Sequence, residues 1–482
     1  MKYFKKLGSM VLALAMALSL AVPAMAAETV TNATTHTYQA YQIFKADSQK
    51  NDGGPLGNIT WGTGIDSTKF LAALKADSRF DVGGANVFVS CESEQDVANA
   101  LAENTSVAVA FADVAVEHIT GEYTTIPATG TVELGLGYWL LVDTSAPGEG
   151  DAKNAALLQV VKNGDLTIAK KYDVPTVDKT VDDNDANIGD TVTFTLTATI
   201  PDRLDGYQTY KVVFHDTLSA GLDFVEGTIK VTVGGKDVTD AFTVSEDTGT
   251  LTISCNDVLA EGVGVVANGT IVVTYNAILD DDAVIGTEGN LNKVYLEYSN
   301  DPNWNGSGDE PTGKTPEEEV KVYTWEIPVF KYTGDGGNKT ALAGAGFTLY
   351  KDAGCTQLIT VTKDTSISDK NMYKVDPDSA TTEIVTDETG KFEIEGLEKG
   401  IYYLKETTTP AGYNTCDVVT VVIGENGALT QNGTATTEVG IQNQSGATLP
   451  ETGGMGTTLF YILGGVLVLG AGVALVTKKR MG

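Results

Sequence analysis

Histidine, cysteine and positive charge are all scarce in this chain of 482 residues. Its three histidines, His36, His118 and His215, lie far apart, and no nucleophile elbow, phosphate loop or metal-ligand spacing accompanies them,. Those absences exclude the common hydrolytic, nucleotide-dependent and zinc chemistries, so neither enzyme activity, a cofactor nor a metal is expected. No Asp-x-Asp-x-Asp-Gly calcium loop occurs, and the runs Asp280-Asp281-Asp282 and Asp182-Asp183 read as solvated turns,. Lys and Arg number 32 against 64 Asp and Glu, a formal net charge of −32. Nucleic acid is thereby excluded as a partner, since phosphate binding needs clustered cations. The same charge suits a soluble, self-repelling surface protein. The four cysteines, at 91, 255, 355 and 416, show no framework spacing, so any covalent stapling must come from another chemistry,. Cys355 and Cys416 share one expected domain and either pair or remain buried thiols.

Long apolar runs are confined to the two ends. Lys2, Lys5 and Lys6 precede an apolar stretch from Met10 to Val22 and the small-residue exit Ala24-Met25-Ala26, which together predict a secretory signal peptide over residues 1–26,. At the other end Leu449-Pro450-Glu451-Thr452-Gly453 is followed by 18 uncharged residues, Leu459 to Val476, and then Lys478-Lys479-Arg480. The stretch is long enough for a transmembrane helix, and the basic tail places its end in the cytoplasm. A plain membrane anchor would share these two features. The pentapeptide ahead of them resembles the cell-wall sorting signal of Gram-positive bacteria. That resemblance implies a sortase whose cysteine attacks the Thr452 carbonyl, releases Gly453 onward and holds the chain as a thioester until an amine accepts it. The apolar span is then a temporary tether, and the destination is the cell wall, with peptidoglycan as a partner.

Removing both ends leaves roughly 425 residues, enough for about three domains. Period-two alternation dominates, as in Val192, Phe194, Leu196, Ala198 and Ile200 separated by threonines. Strands of this kind between Gly, Asn and Asp clusters predict a mainly β protein of three tandem immunoglobulin-like β-sandwiches. Helical pattern is restricted to the first, near Thr68–Leu74, Glu94–Ala102 and Val107–His118,. Proline and turn clusters set the expected domains at 28–172, 173–322 and 323–445, with 446–482 as the sorting signal. Gly137 to Pro147 parallels Gly400 to Pro410 in residue type, and Ile43-Phe44-Lys45 parallels Val329-Phe330-Lys331. The first and third domains thus read as variants of one sandwich, although two unrelated edge strands ending in turns would give the same pattern.

Lysine placement is the next signal. Lys331 continues the alternation Ile327, Val329 and so shares their inward face. A lone buried ammonium is costly and tends to shed its proton, which leaves a nucleophile. An exposed lysine–carboxylate pair is the alternative. The opening strand with Lys331, the box Tyr402 to Tyr413 and the closing Asn443 resemble the Cna-B-type domain of pilins and collagen adhesins. The resemblance implies that Lys331 attacks the Asn443 side chain, that Glu406 shuttles protons and that ammonia leaves. The middle domain is similar to the second-domain type of fimbrial subunits, implying a Lys179–Asn300 bond with Asp216 as shuttle. Asp143 replaces the glutamate in the first domain, and the closing asparagine is reduced to Asn163, so no bond there to Lys45 is expected.

The whole chain resembles a major, or backbone, pilin of sortase-assembled pili. The implied partners are a sortase, identical subunits in a covalent homopolymer, peptidoglycan, and host surface ligands. A pilin of this kind offers one lysine to the preceding subunit's Thr452 thioester. The usual Tyr-Pro-Lys motif is absent, and Ile168-Ala169-Lys170-Lys171-Tyr172-Asp173-Val174-Pro175 stands in its place. Lys171 fits best, Lys170 next and Lys162 third. A monomeric wall-anchored adhesin, or a minor pilin, would use the same modules.

Overall fold

The computed structural model describes residues 27–49, 55–162, 164–170, 173–204, 206–304 and 306–446. The signal segment, the apolar span 459–476, Asn163, Lys171 and the motif Leu449, Pro450, Glu451, Thr452 and Gly453 lie outside the described residues. Among the described residues, no helix is long and apolar enough to cross a membrane.

Strands supply nearly all of the regular structure, and they assemble as three consecutive two-sheet units. In the first unit, a three-stranded sheet orders Leu166–Ile168, Ala27–Asn32 and Thr131–Gly135, and a five-stranded sheet is built around Gly137–Asp143 and Tyr38–Lys45. The larger sheet is buried on both faces. Tyr38, Ala40, Trp139 and Leu141 meet the smaller sheet, while Phe44 and Leu140 face Phe70, Phe88 and Phe111 from the helical insertion. The helices are Ser67–Ala76, Glu94–Glu103 and Ala108–Val116, close to the expected positions. Asp66 caps the first, and Ser93 with Asp96 forms a capping box on the second, so each start is written locally,.

The middle sandwich packs the sheet containing Thr176–Val181, Thr191–Thr199 and Thr270–Leu279 on the sheet containing Val212–Leu218 and Asn290–Ser299. Its core comes from the inward residues of both sheets, such as Phe194, Leu196, Phe214, Ile253 and Val273. The third sandwich opens with Trp325–Thr333, which pairs antiparallel with Lys391–Leu397 and parallel with the last strand, Val439–Gln442. The facing sheet centres on Gly346–Tyr350 and Gly400–Thr408.

The repeat between the first and third units is present in topology, but one equivalence differs from the expected one. Tyr38–Lys45 pairs with Gly137–Asp143 just as Gly346–Tyr350 pairs with Gly400–Thr408, with Tyr38 opposite Asp143 and Phe347 opposite Glu406. The counterpart of Trp325–Thr333 is instead Ala27–Asn32, which runs parallel to the unit's last strand. Asn32 opposite Ile168 therefore occupies the place that Lys331 opposite Ile441 holds. Lys45 sits at the far end of its strand, opposite Gly137, because the Phe-Lys pair at residues 44–45 belongs to the other sheet.

The units are joined by specific contacts. Residues 150–156 of the first lie against the end of the middle one: Gly150 N donates to Lys314 O (2.8 Å), Lys153 N to Asn300 O (2.8 Å) and Tyr298 Oη to Asp151 O (3.1 Å). At the next joint Ile188 leaves the middle sandwich to pack in the third core, and its N–H donates to Gly396 O (3.0 Å). Gly396 has φ +84°, and a Cβ there would lie 2.5 Å from the Ile188 side chain, so glycine is required on both counts,. Trp325 Nε1 donates to Asp185 Oδ2 (2.9 Å) across the same joint.

Candidate functional site: buried lysine centres

Alternation along Trp325–Thr333 turns Ile327, Val329 and Lys331 inward, and the Lys331 side chain is fully buried. The parallel last strand delivers Asn443 beside it, and Asn443 N donates to Tyr332 O (3.0 Å). Glu406 arrives from the opposite sheet. Lys331 Nζ donates to Asn443 Oδ1, Asn443 Nδ2 donates to Glu406 Oε1 (2.7 Å), and Lys331 Nζ lies 3.4 Å from Glu406 Oε1. The second carboxylate oxygen accepts the Cys416 N–H (2.8 Å), and the Phe347 ring closes the pocket 5.2 Å from Nζ. Amine, amide and carboxyl form one triangle, fixed by backbone register and shielded from water. Cys416 is an unpaired thiol at its edge, as Cys355 is elsewhere in the same sandwich. Burial, against the pull of Lys331, pushes the Cys416 thiol up to about 11.

A second centre lies in the middle sandwich. Lys179, inward on Thr176–Val181, is ion-paired with Asp216 on Val212–Leu218, with both side chains fully buried. Tyr275 Oη donates to Asp216 Oδ1 (2.8 Å), and Asn292 Nδ2 donates to Tyr275 Oη (2.6 Å). Asn292 Oδ1 is buried with no partner among the described residues. Burial lowers Lys179 to about 8 despite Asp216 beside it, and burial raises Asp216 despite Lys179. Both shifts favour the neutral amine and the neutral carboxyl.

The expected Asn300 is not at this centre. Asn292 stands opposite Leu218 and Tyr298 opposite Val212, so Asn300 lies eight residues further along the chain. At ~3.3 Å per residue, that is roughly 26 Å from the place of Asn292. Asn300 instead serves the joint, where its N donates to Pro311 O (3.2 Å) and its O accepts Lys153 N. The asparagine brought to Asp216 is Asn292, a residue the sequence reading passed over. Its signal was available: Asn290, Asn292, Val294, Leu296 and Tyr298 alternate and are all buried.

In the first unit the place of Glu406 is held by Asp143, and that of Cys416 by Asn154, whose N donates to Asp143 Oδ2 (2.9 Å). No lysine joins them among the described residues. Asn32, in the Lys331 position, donates from Nδ2 to His36 O (2.7 Å) and Pro127 O (2.9 Å). His36 fills the remaining space, with Nδ1 2.6 Å from Asp143 Oδ2 and Nε2 3.0 Å from Asp151 Oδ2. Burial alone would lower its pKa, but the hydrogen bonds to the two carboxylates outweigh it and raise it. Lys170 is exposed just beyond Leu166–Ile168, and Lys162 is exposed just before it.

Tandem two-sheet modules, two of them enclosing a buried lysine with a carboxyl and an amide, define a class of modular β-sandwich protein. Residues 188–302 match the family described as Gram-positive pilin backbone subunit 2, Cna-B-like domain. Residues 331–437 match a prealbumin-like fold domain, and residues 441–481 match the LPXTG cell wall anchor motif. The chain therefore carries the domains of an LPXTG-anchored Gram-positive backbone pilin. A curated relative, the trypsin-resistant surface T6 protein of Streptococcus pyogenes serotype M6, is 25% identical over 416 residues, covering 71% of this chain and 75% of the relative. The solved structure of the T6 backbone pilin, described as modular and three-domain, superposes with a TM-score of 0.51 at 19% identity, covering 82% of this chain and 79% of that one, a likeness of fold.

Proposed function

We propose that this chain is the shaft subunit of a cell-surface pilus, stapled internally by two Lys–Asn isopeptide bonds. The observation that carries the reading is the fully buried Lys331–Asn443–Glu406 triangle, which lies between the first and last strands of its sandwich. In the proposed step the Lys331 amine attacks Asn443 Cγ, the C–Nδ2 bond breaks, and ammonia leaves. Glu406, in contact with both partners, carries the proton from the attacking nitrogen to the departing one and ends unchanged. Lys179, Asn292 and Asp216 supply the same chemistry in the middle sandwich, where the shifts of Lys179 and Asp216 already favour a neutral amine beside a protonated acid.

A shaft one subunit wide passes tension through each subunit. A bond from the opening strand to the last strand of the third sandwich, or to Asn290–Ser299 of the middle one, carries that load past the hydrogen-bonded ladder. Between subunits, a sortase thiol attacks the Thr452 carbonyl and breaks the Thr452–Gly453 bond. A lysine of the next subunit then displaces the thiol to form an amide. Lys171 is the proposed acceptor, with Lys170 the next choice; the latter stands exposed just past the last strand of the first sandwich. Host ligands remain a partner class for the assembled fibre. Lys171→Ala in the producing cell should remove the high-mass ladder from denaturing gels and leave wall-bound monomer. An unchanged ladder would refute Lys171, and its persistence in Lys170→Ala/Lys171→Ala would refute this acceptor segment.

A further inference from the structure

On the outer face of the third sandwich, three carboxylates meet. Glu326 stands opposite Glu395 in the antiparallel pair of Trp325–Thr333 and Lys391–Leu397, and Glu393 follows opposite Pro328. Like charges directly opposite one another across a strand pair are destabilising. Here one ligand oxygen from each of the three groups lies within 4.8 Å of the others. Glu395 is only 7% exposed and makes no hydrogen bond or ion pair among the described residues. A carboxylate on a nearly buried residue among like charges is costly, and one of its oxygens faces the other two groups,. Burial, with Glu326 next, pushes it up to about 7.

The surrounding lysines offset only part of this, since Lys374 and Lys370 pull Glu395 down yet its net shift stays upward. Lys370 Nζ reaches Glu393 Oε2 (2.9 Å), but its side chain is half exposed and touches only that rim carboxylate. Lys374, across from Glu395 in the neighbouring strand, is turned to Asp281 O (2.7 Å) and Asp364 Oδ2 (3.6 Å).

We propose that Glu326, Glu393 and Glu395 form a binding site for a hard divalent cation, calcium, in the outer sheet of the third sandwich. Oxygens held within 4.8 Å of one another fit on a sphere of the 2.3–2.6 Å radius that calcium takes with oxygen,. Three carboxylates supply up to six donor atoms in an irregular arrangement, which calcium tolerates and magnesium does not. No histidine or cysteine belongs to the set, which disfavours zinc and copper,. The site adjoins the second joint, where Lys374 Nζ donates to Asp281 O (2.7 Å) and Thr324 O accepts from Gly286 N (2.8 Å) of the middle sandwich. A bound ion would remove the repulsion between the two strands and stiffen the sheet that carries Lys331 on its other face.

The test is calorimetric titration of calcium chloride into chelator-treated protein, residues 27–446, at pH 8, paired with thermal unfolding. One calcium per chain is expected, with a Kd of about 10⁻⁴–10⁻³ M, as in extracellular modules, and an upward shift of the third-sandwich transition. Glu395→Gln should weaken binding at least tenfold, and Glu326→Gln serves equally if that variant does not fold. Lys370→Ala, which frees Glu393, should bind no more weakly than the parent. Absence of calcium-dependent heat in the parent, or unchanged affinity in both Gln variants, would overturn the proposal.

Discussion

Lys331 and Asn443 are 112 residues apart in sequence, and their side chains are in contact. A covalent link closing a loop of that length would limit the unfolded chain as a disulfide does, worth about 4–5 kcal/mol in the chain-entropy treatment. Glu406→Gln, which keeps the shape but removes the proton carrier, should therefore lower the stability of the third sandwich by about that amount. Its intact mass should exceed that of the parent by one ammonia after correction for the substitution; equal corrected masses would mean that Glu406 is not the proton carrier of a bond, and a parent mass equal to the sequence mass would mean that no bond had formed. The middle sandwich separates the two asparagines in the same way. Asn292→Ala should abolish its ammonia loss, whereas Asn300→Ala should keep it. Lys331 could be picked from sequence because alternation turns it inward, whereas Glu406 and Asn443 came from the resemblance of the box and the closing strand to the Cna-B-type domain. Asn300 was misplaced because its position after Tyr298-Ser299 was read as strand closure, when period two along Asn290–Ser299 turns Asn292 into the core beside Asp216.

At the scale of elements, the helical insertion was legible because Asp66 and Ser93 cap it and its apolar residues recur on one face. Strands such as Thr191–Thr199 and Thr270–Leu279 were legible for a similar reason, since each buries one side. The equivalence of Tyr38–Lys45 was not. A Phe-Lys pair in a strand carries no information on which sheet the strand joins, and only pairing with Gly137–Asp143 decides that. Ile188 was equally hidden, with only Ala186 as apolar company among Asn184, Asp185 and Asn187 and no periodicity to mark its role. It contributes to the third core although it belongs to a turn of the middle sandwich. Ile188→Ala should destabilise the third sandwich by about 2–5 kcal/mol, the range for truncating a buried isoleucine. Calorimetry resolving the separate transitions would check this, and an unchanged third transition would show that the joint is not rigidly packed.

Across the whole molecule, the first joint is tied to a buried titrating group. His36 holds Asp151, and Asp151 lies in the segment that docks onto the middle sandwich. The folded-state pKa of His36 is raised above its ordinary 6.5. Its contribution to stability is thus fully present below pH 6.5 and is lost as pH rises through the raised value. The first transition should fall in temperature above that window in the parent and not in His36→Gln, as read by calorimetry over a pH series. The −32 net charge keeps neighbouring fibres apart, while the joints and the proposed bonds keep each subunit continuous,. Continuity between subunits rests on Thr452 and the lysine it meets. Mass sequencing of branched peptides from purified fibres tests that claim most directly. The account predicts Thr452 joined by an amide to the side chain of Lys171 in a second copy of this chain. Thr452 found only on the peptidoglycan amine, with no branched peptide between copies, would contradict it.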